Sequence, residues 1–299
     1  MKNGSAFKGL GVAMVTPFNS QAQVDYSGLQ RLTDNLIKGG VDYLVVHGTT
    51  GESPTLSKEE KRAVLDFIIE VNKKRVPVVL GIGGNNTAAV VAEMNQTDFD
   101  GVDGILSVSP SYNKPTQPGI IAHYKAVAEA CPLPIILYNV PGRTQSNMAW
   151  TTTVRLARDS KKFIGIKEAS GDLIQATRII KNRPNNFFVT SGDDEIAMAM
   201  VACGGEGVIS VMANAFPMEF SQMIGAALEY DFTTAQKINL ELYDLHKWLY
   251  IEGNPVGIKS AMKVLGICGN EVRLPLHALS TENYHHLKQE MERIQRLIA

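Results

Sequence analysis

The chain has 299 residues, of which 44% are apolar and 20% charged, and its 29 Lys and Arg nearly balance its 30 Asp and Glu. This apolar content is typical of a folded protein and excludes a disordered chain. The balanced charge, with neither a basic stripe nor an acidic tail, favours neither a nucleic-acid partner nor a membrane surface. The length by itself allows two domains or one α/β barrel.

Cysteine use and the amino-terminal segment bear on the compartment. The three cysteines are far apart, with no CxxC pair and no clustered histidines, so we expect reduced packing residues and no metal site. The first apolar run soon meets Pro17 and lacks the apolar core of a signal peptide. No window approaches the roughly 18 consecutive apolar residues of a membrane span. We therefore expect a cytoplasmic protein that acts on small molecules.

Eight short apolar runs recur along the chain, with helical segments between them. Most are continuously apolar rather than alternating, which is typical of parallel strands covered on both faces. Their spacing of about 30 residues predicts an α/β fold, the closed (β/α)8 or TIM barrel. The predicted strands are residues 10–15, 43–46, 78–82, 104–108, 134–138, 163–167, 187–190 and 207–211.

The segments between and after these strands have helical periodicity. Ser57 is a predicted N-cap with a capping box, and the eighth barrel helix is predicted at residues 217–230. Beyond it the pattern stays helical, and the first further helix is predicted over residues 232–253. We expect a catalytic barrel over residues 1–230 and a C-terminal three-helix appendage over residues 231–299, packed on the barrel or on a neighbouring subunit.

Polar residues at the carboxyl ends of the strands are the candidate site residues, because barrel enzymes place catalytic groups there. Lys167 ends an otherwise apolar strand, where an unpaired ammonium is costly. If its side chain points into the barrel, Ile164, Ile166 and Glu168 point toward the helices. An ion pair with an acid from another strand would explain this lysine. So would an amine made nucleophilic by apolar surroundings, which forms a Schiff base with a carbonyl substrate.

Neighbouring strand ends supply groups that could work with this amine. Tyr138 ends the adjacent strand and, linked to the Thr49 hydroxyl, could shuttle protons; a core tyrosine bonded to the backbone is the alternative. Arg143 follows a Pro-Gly turn, where its guanidinium could bind a carboxylate or simply face solvent. Backbone N–H groups of residues 48–52 and 192–194 could bind a substrate carboxylate.

Two other patterns do not predict a site. The segment VVLGIGGNNTAAVV has a glycine turn, but Asn86 stands where a dinucleotide-binding turn needs its third glycine, so no nicotinamide cofactor is expected. His285 and His286 are adjacent on a helix and point about 100° apart, which does not suit a shared metal ion. We expect activity without a metal or a resident cofactor.

The motifs GTTGE, SYNKP, YNVPGRT, GIKEASGD and GVISVMAN occur in this order along the chain. Together they closely resemble the dihydrodipicolinate synthase family, within the pyruvate-dependent lyase and aldolase superfamily. The resemblance implies a Schiff-base lyase of diaminopimelate and lysine biosynthesis that condenses pyruvate with aspartate-4-semialdehyde. The alternatives are acetylneuraminate lyase, an aldolase or dehydratase for 2-keto-3-deoxy sugar acids, and a barrel without catalysis. Thr49 and Arg143 favour the synthase over acetylneuraminate lyase.

The resemblance also implies catalytic roles. Lys167 would form the Schiff base with pyruvate, while Tyr138, Thr49 and Tyr112 would form a proton relay. In the family, the tyrosine that matches Tyr112 comes from a neighbouring subunit. The resemblance therefore implies a homo-oligomer, with a tetramer built as a dimer of dimers the expected form.

Substrate-binding and regulatory residues are implied in the same way. Arg143 would bind the carboxylate of the semialdehyde. Thr50, together with the backbone at Gly192 and Ile209, would surround the part derived from pyruvate. Members inhibited by lysine use a glutamate, a histidine and a tyrosine at an interface between subunits, and this chain has other residues in all three places: Ala89, Lys58 and Ser111. Weak or absent feedback inhibition is therefore expected.

Overall fold

The computed structural model of the chain describes residues 4–298. Eight parallel strands pair in chain order, and the last strand pairs with the first, so the sheet closes into a barrel. This confirms the predicted TIM barrel. The strands are β1 (Gly9–Ala13), β2 (Tyr43–Val46), β3 (Val78–Gly81), β4 (Gly104–Val108), β5 (Ile135–Asn139), β6 (Phe163–Glu168), β7 (Phe188–Ser191) and β8 (Gly207–Ser210).

Helices surround the barrel and continue past it. They are α1 (Tyr26–Lys38), α2 (Lys58–Asn72), α3 (Thr87–Gln96), α4 (Gln117–Ala130), α5 (Pro141–Thr144), α6 (Trp150–Asp159), α7 (Leu173–Asn182), α8 (Ala197–Ala202), α9 (Pro217–Leu228), α10 (Phe232–Leu242), α11 (Leu245–Tyr250), α12 (Val256–Val264) and α13 (Thr281–Ile298). The predicted capping box is present at α2, where Ser57 and Glu60 exchange side-chain and backbone hydrogen bonds. Within residues 4–298, no helix is both long and apolar enough to cross a membrane.

Apolar side chains form two layers of core. The larger layer lies between the strands and the helices, and the smaller fills the inside of the barrel. Phe7 enters this inner layer near Gly104, the first residue of β4, and packs edge to face on Tyr43 at 5.7 Å. The amino-terminal end of the barrel is therefore filled, and open space remains for a site at the carboxyl end.

The alternation predicted along β6 is wrong at Ile164. Pairing between β5 and β6 shifts between Ile135 and Ile136, which leaves Ile164 as the extra residue of a bulge. Ile164 consequently packs in the inner layer, whereas Ile166 packs toward the helices as predicted.

The C-terminal region contains the predicted helices, but the first of them is divided. Residues 232–253 hold α10 and α11, with Tyr243 and Asp244 in helical backbone conformation between them. Helix α10 packs on α9, and α11, α12 and α13 pack on one another. Because α9 and α10 pack together across residue 230, the domain boundary at that point stays a prediction.

Candidate active site

A cavity of about 280 Å³ opens at the carboxyl ends of the strands. This is the end at which barrel enzymes hold their catalytic groups. Its wall is formed by strand ends, by the loops that follow them and by the start of the C-terminal region. Six of the predicted site residues line it: Thr49, Thr50, Tyr138, Arg143, Lys167 and Gly192.

Lys167 and Tyr138 lie side by side in this cavity. They are register partners on β6 and β5, and the Lys167 Nζ atom lies 4.6 Å from the centroid of the Tyr138 ring. Lys167 is 5% exposed and forms no ion pair with any residue between 4 and 298. A Cβ atom at Gly192 would come within 2.8 Å of Lys167 Cε, so a glycine there leaves room for the lysine side chain. The interior ion pair considered for Lys167 is therefore not formed.

Asp194 is a buried acid that lies near enough to Lys167 to be affected by its charge. Its Oδ2 atom accepts hydrogen bonds from the backbone N–H groups of Val211 and Met212, at 2.9 and 2.8 Å. Burial raises the pKa of Asp194, and these N–H groups, Ser210 and Lys167 oppose that rise. Asp194 thus holds the turn after β8 at the cavity.

The loop after β2 that carries Thr49 and Thr50, here called the threonine loop, is held in place by residues of the C-terminal region. Thr50 is buried, and its hydroxyl accepts a hydrogen bond from Asn254 Nδ2 at 2.9 Å. Glu52, two residues later, has a left-handed backbone with φ 52° and a buried carboxylate. That carboxylate accepts from Lys259 Nζ at 2.5 Å and from the backbone N–H of Arg273 at 2.9 Å. The position of Thr49 and Thr50 therefore depends on residues about 200 positions later in the chain.

A second polar network lies behind Lys167 and Tyr138, on the helix side of the sheet. Glu168 accepts from Asn139 Nδ2 at 3.0 and 3.1 Å, from the Ser170 N–H at 2.9 Å and from Gln175 Nε2 at 3.1 Å. Burial raises the pKa of Glu168, and these donors favour the carboxylate. Because Asn139 and Glu168 directly follow Tyr138 and Lys167, their bond fixes the pair in register.

The sequence reasoning missed a group of residues in the C-terminal region. His246, Tyr250 and Asn254 all line the cavity. Burial lowers the pKa of His246; it raises the pKa of Tyr250 well above its ordinary value, and the charges of Asp194 and Asp193 add to that rise. His246 and Tyr250 are four residues apart, which places both on one helix face. That spacing, followed by Asn254, is the signal that could have found them.

Two predicted site residues do not reach the cavity wall of their own chain. Tyr112 is 88% exposed and has a left-handed backbone with φ 69°. The Ile209 side chain is fully buried in the inner core layer, and Val211, two residues later, lines the cavity. Their roles in the reaction stay predictions.

Comparison with known proteins agrees with this geometry. The model of the dihydrodipicolinate synthetase family matches residues 6–294. The chain is 50% identical over 293 residues to a 4-hydroxy-tetrahydrodipicolinate synthase of Cytophaga hutchinsonii, covering 98% of each chain.

Solved structures show the same likeness. The crystal structure of dihydrodipicolinate synthase from Aquifex aeolicus superposes with a TM-score of 0.93 at 40% identity, over 97% of this chain and 98% of the other. The chloride-inhibited enzyme from Acinetobacter baumannii, complexed with pyruvate, gives 0.93 at 38% identity, over 96% and 99%. The chain belongs to the dihydrodipicolinate synthetase family.

Proposed function

We propose that this chain condenses pyruvate with aspartate-4-semialdehyde to form 4-hydroxy-tetrahydrodipicolinate, the product for which its relatives are named. The observation that carries the proposal is the buried, unpaired Lys167 beside Tyr138 at the carboxyl end of the barrel. A buried amine that no carboxylate pairs with is the kind of group that attacks a carbonyl carbon to form a Schiff base. No resident cofactor is needed, because the covalent bond to pyruvate supplies the electron sink.

The reaction begins with attack of Lys167 Nζ on the keto carbon of pyruvate. The carbinolamine loses water to give an iminium, and loss of a methyl proton gives the enamine. The enamine carbon then attacks the aldehyde carbon of the second substrate. Finally, the amino group of the adduct attacks the iminium carbon, closes the ring and releases the Lys167 amine. Each step moves a proton, which Tyr138 and Thr49 would carry.

Arg143 would bind the carboxylate of the semialdehyde. It lines the cavity, and its guanidinium forms no ion pair within residues 4–298. A planar guanidinium is well suited to a carboxylate. In Arg143→Ala the KM for the semialdehyde should rise strongly while Schiff-base formation with pyruvate persists. Turnover left almost intact would contradict this role and would favour a substrate such as a 2-keto-3-deoxy sugar acid.

The covalent step can be tested by borohydride reduction in the presence of pyruvate, followed by peptide mass spectrometry. We expect one reduced pyruvate on Lys167 and none in Lys167→Ala. Lys259 is an internal control, because it is also buried but is held by Glu52. An adduct on another lysine, or none at all, would contradict the Schiff-base mechanism.

Tyr112 would complete the proton relay from a neighbouring subunit of a homotetramer. Its exposure and its absence from the cavity of its own chain support this assignment. Tyr112→Phe and Lys167→Ala should each be inactive as pure oligomers. Mixed oligomers should regain activity, because one site then has Lys167 from one chain and Tyr112 from the other. Mixtures without activity would contradict a shared site.

A cytoplasmic location is part of the same proposal. Cys131, Cys203 and Cys268 are free thiols, and Cys203 is exposed. Free exposed thiols are typical of proteins kept in a reducing compartment.

A further inference from the structure

Arg143 has no side-chain partner that fixes its position. It lies on the short helix α5, in the segment of residues 140–149 that joins β5 to α6, here called the arginine loop. Arg143 lines the active-site cavity, yet its guanidinium forms neither a hydrogen bond nor an ion pair with any residue in the described part of the chain. The place of the guanidinium relative to Lys167 therefore depends on how the backbone of the arginine loop is held.

Local hydrogen bonds shape the first turn of the arginine loop. The backbone N–H groups of Arg143 and Thr144 donate to the Val140 carbonyl at 2.9 and 3.0 Å. The Thr144 hydroxyl donates to the Ser146 carbonyl at 2.8 Å. These bonds lie within the loop and set its shape. Where the loop sits on the barrel is decided by its contacts with other elements.

The buried Asn139 amide closes the arginine loop at its base. Asn139 is 0% exposed, its Oδ1 atom accepts from the Met148 N–H at 2.9 Å, and its Nδ2 atom donates to Asn147 Oδ1 at 2.8 Å. The same Nδ2 atom donates to Glu168 at 3.0 Å, so the whole amide is in use. Because Glu168 directly follows Lys167 on β6, one amide joins the arginine loop to the strand of Lys167.

Asn147 connects the arginine loop to the helices on either side. Its amide exchanges two hydrogen bonds with Gln175 on α7, at 2.9 and 3.2 Å, and Gln175 also donates to Glu168 at 3.1 Å. From α4, the Gln117 amide donates to the Asn147 carbonyl at 2.8 Å and accepts from the Ala149 N–H at 3.0 Å. The contacts of the loop with β5, α4 and α7 therefore meet at Asn147.

We propose that Asn147 is a positioning residue for Arg143, which holds the arginine loop so that the guanidinium stands at a fixed distance from Lys167. Asn147 does not line the cavity, so it acts on substrate only through Arg143. A loop released at Asn147 carries the guanidinium over a wider range of positions, which weakens its contact with the semialdehyde carboxylate. The bond between Asn139 and Glu168 remains, so the strands of the Schiff-base site are unaffected. The inference rests on the proposed function and deepens it.

Asn147→Ala tests this role, because it removes the side-chain bonds to Asn139 and Gln175 and keeps the backbone carbonyl. We expect the KM for aspartate-4-semialdehyde to rise about fivefold or more. The KM for pyruvate and the yield of borohydride adduct on Lys167 should stay within about twofold, because they do not depend on the arginine loop. Asn147→Asp keeps the acceptor oxygen for Asn139 and should lie between wild type and Asn147→Ala. Asn95→Ala, at an exposed asparagine on α3, is the matched control.

A double variant distinguishes positioning from a general structural role. If Asn147 acts through Arg143, then adding Asn147→Ala to Arg143→Ala should change the KM for the semialdehyde by less than about twofold, because residues that act as a unit have non-additive effects. Effects that multiply in the double variant would overturn the proposal.

The remaining outcomes are equally decisive. An unchanged KM for the semialdehyde in Asn147→Ala, or KM values for both substrates that rise together, would overturn the positioning role. If Asn147→Ala also lost the adduct, Gln117→Ala, which releases the same loop from α4, would decide by the same comparison of the two KM values. A wild-type enzyme that forms no adduct, or does not condense the two substrates, would contradict the proposed function itself.

Discussion

Replacing Lys259 with methionine tests how the threonine loop is held at the active site. The side chains of Lys259 and Glu52 are 0% and 1% exposed, and their charged atoms are 2.5 Å apart. Lys259 also donates to the Glu271 carbonyl at 2.9 Å and lies over the Phe18 ring. Methionine occupies nearly the same space as the lysine side chain but carries no charge. The Glu52 carboxylate would therefore stay buried, with the Arg273 N–H as its remaining donor.

The expected magnitude follows from that burial. Removing one partner of a buried ion pair costs about 3–5 kcal/mol, because the other charge is left unpaired in a medium of low polarity. Removing both charges, in Glu52→Gln with Lys259→Met, should recover most of this loss. The surface pair of Lys125 and Asp159 has a 2.9 Å separation and half-exposed side chains, so Lys125→Met should cost about 1 kcal/mol or less.

The measurement is the free energy of unfolding in urea for wild type, the two single lysine variants and the double variant. Lys259→Met should also raise the KM for pyruvate, since Glu52 anchors the loop that carries Thr49 and Thr50. Equal losses in Lys259→Met and Lys125→Met would refute the argument. A double variant as unstable as Lys259→Met would show that lost packing, rather than an unpaired charge, is the cause.

Acid should destabilise the protein through His47, because burial lowers its pKa to about 4. Below the ordinary pKa of histidine, the unfolded chain binds a proton at His47 that the folded chain excludes, so the free energy of unfolding decreases as the pH is lowered. Between about pH 7.5 and pH 5, wild type should lose about 2 kcal/mol more than His47→Gln. Equal losses would contradict this. Glu168→Gln would present an amide NH₂ to N–H donors and should lower the free energy of unfolding by about 1–3 kcal/mol, with an unchanged urea midpoint as the contrary result. Lysine should inhibit the purified enzyme weakly or not at all, given Ala89, Lys58 and Ser111; half-maximal inhibition below millimolar lysine would contradict that reading.

Local patterns predicted the elements of the barrel because each strand and helix carries its own periodicity. Residues 43–46 and 104–108 form strands as predicted, and the capping box of Ser57 is formed by neighbours in the chain. The side of the sheet on which Ile164 packs could not be predicted, because the bulge depends on how β5 and β6 pair. Local pattern specifies an element, and pairing specifies its register.

The sequence determined the barrel and the nearness of Lys167 and Tyr138, since parallel strands in chain order bring their carboxyl ends together. Only the tertiary structure decided that His246 lines the cavity and that Lys259 holds the threonine loop. The parallel order of the strands brings their ends together, and the sequence pattern is enough to predict that order. A helix far along the chain meets the site through side-chain packing and buried charge pairing, and these act only after the chain has folded.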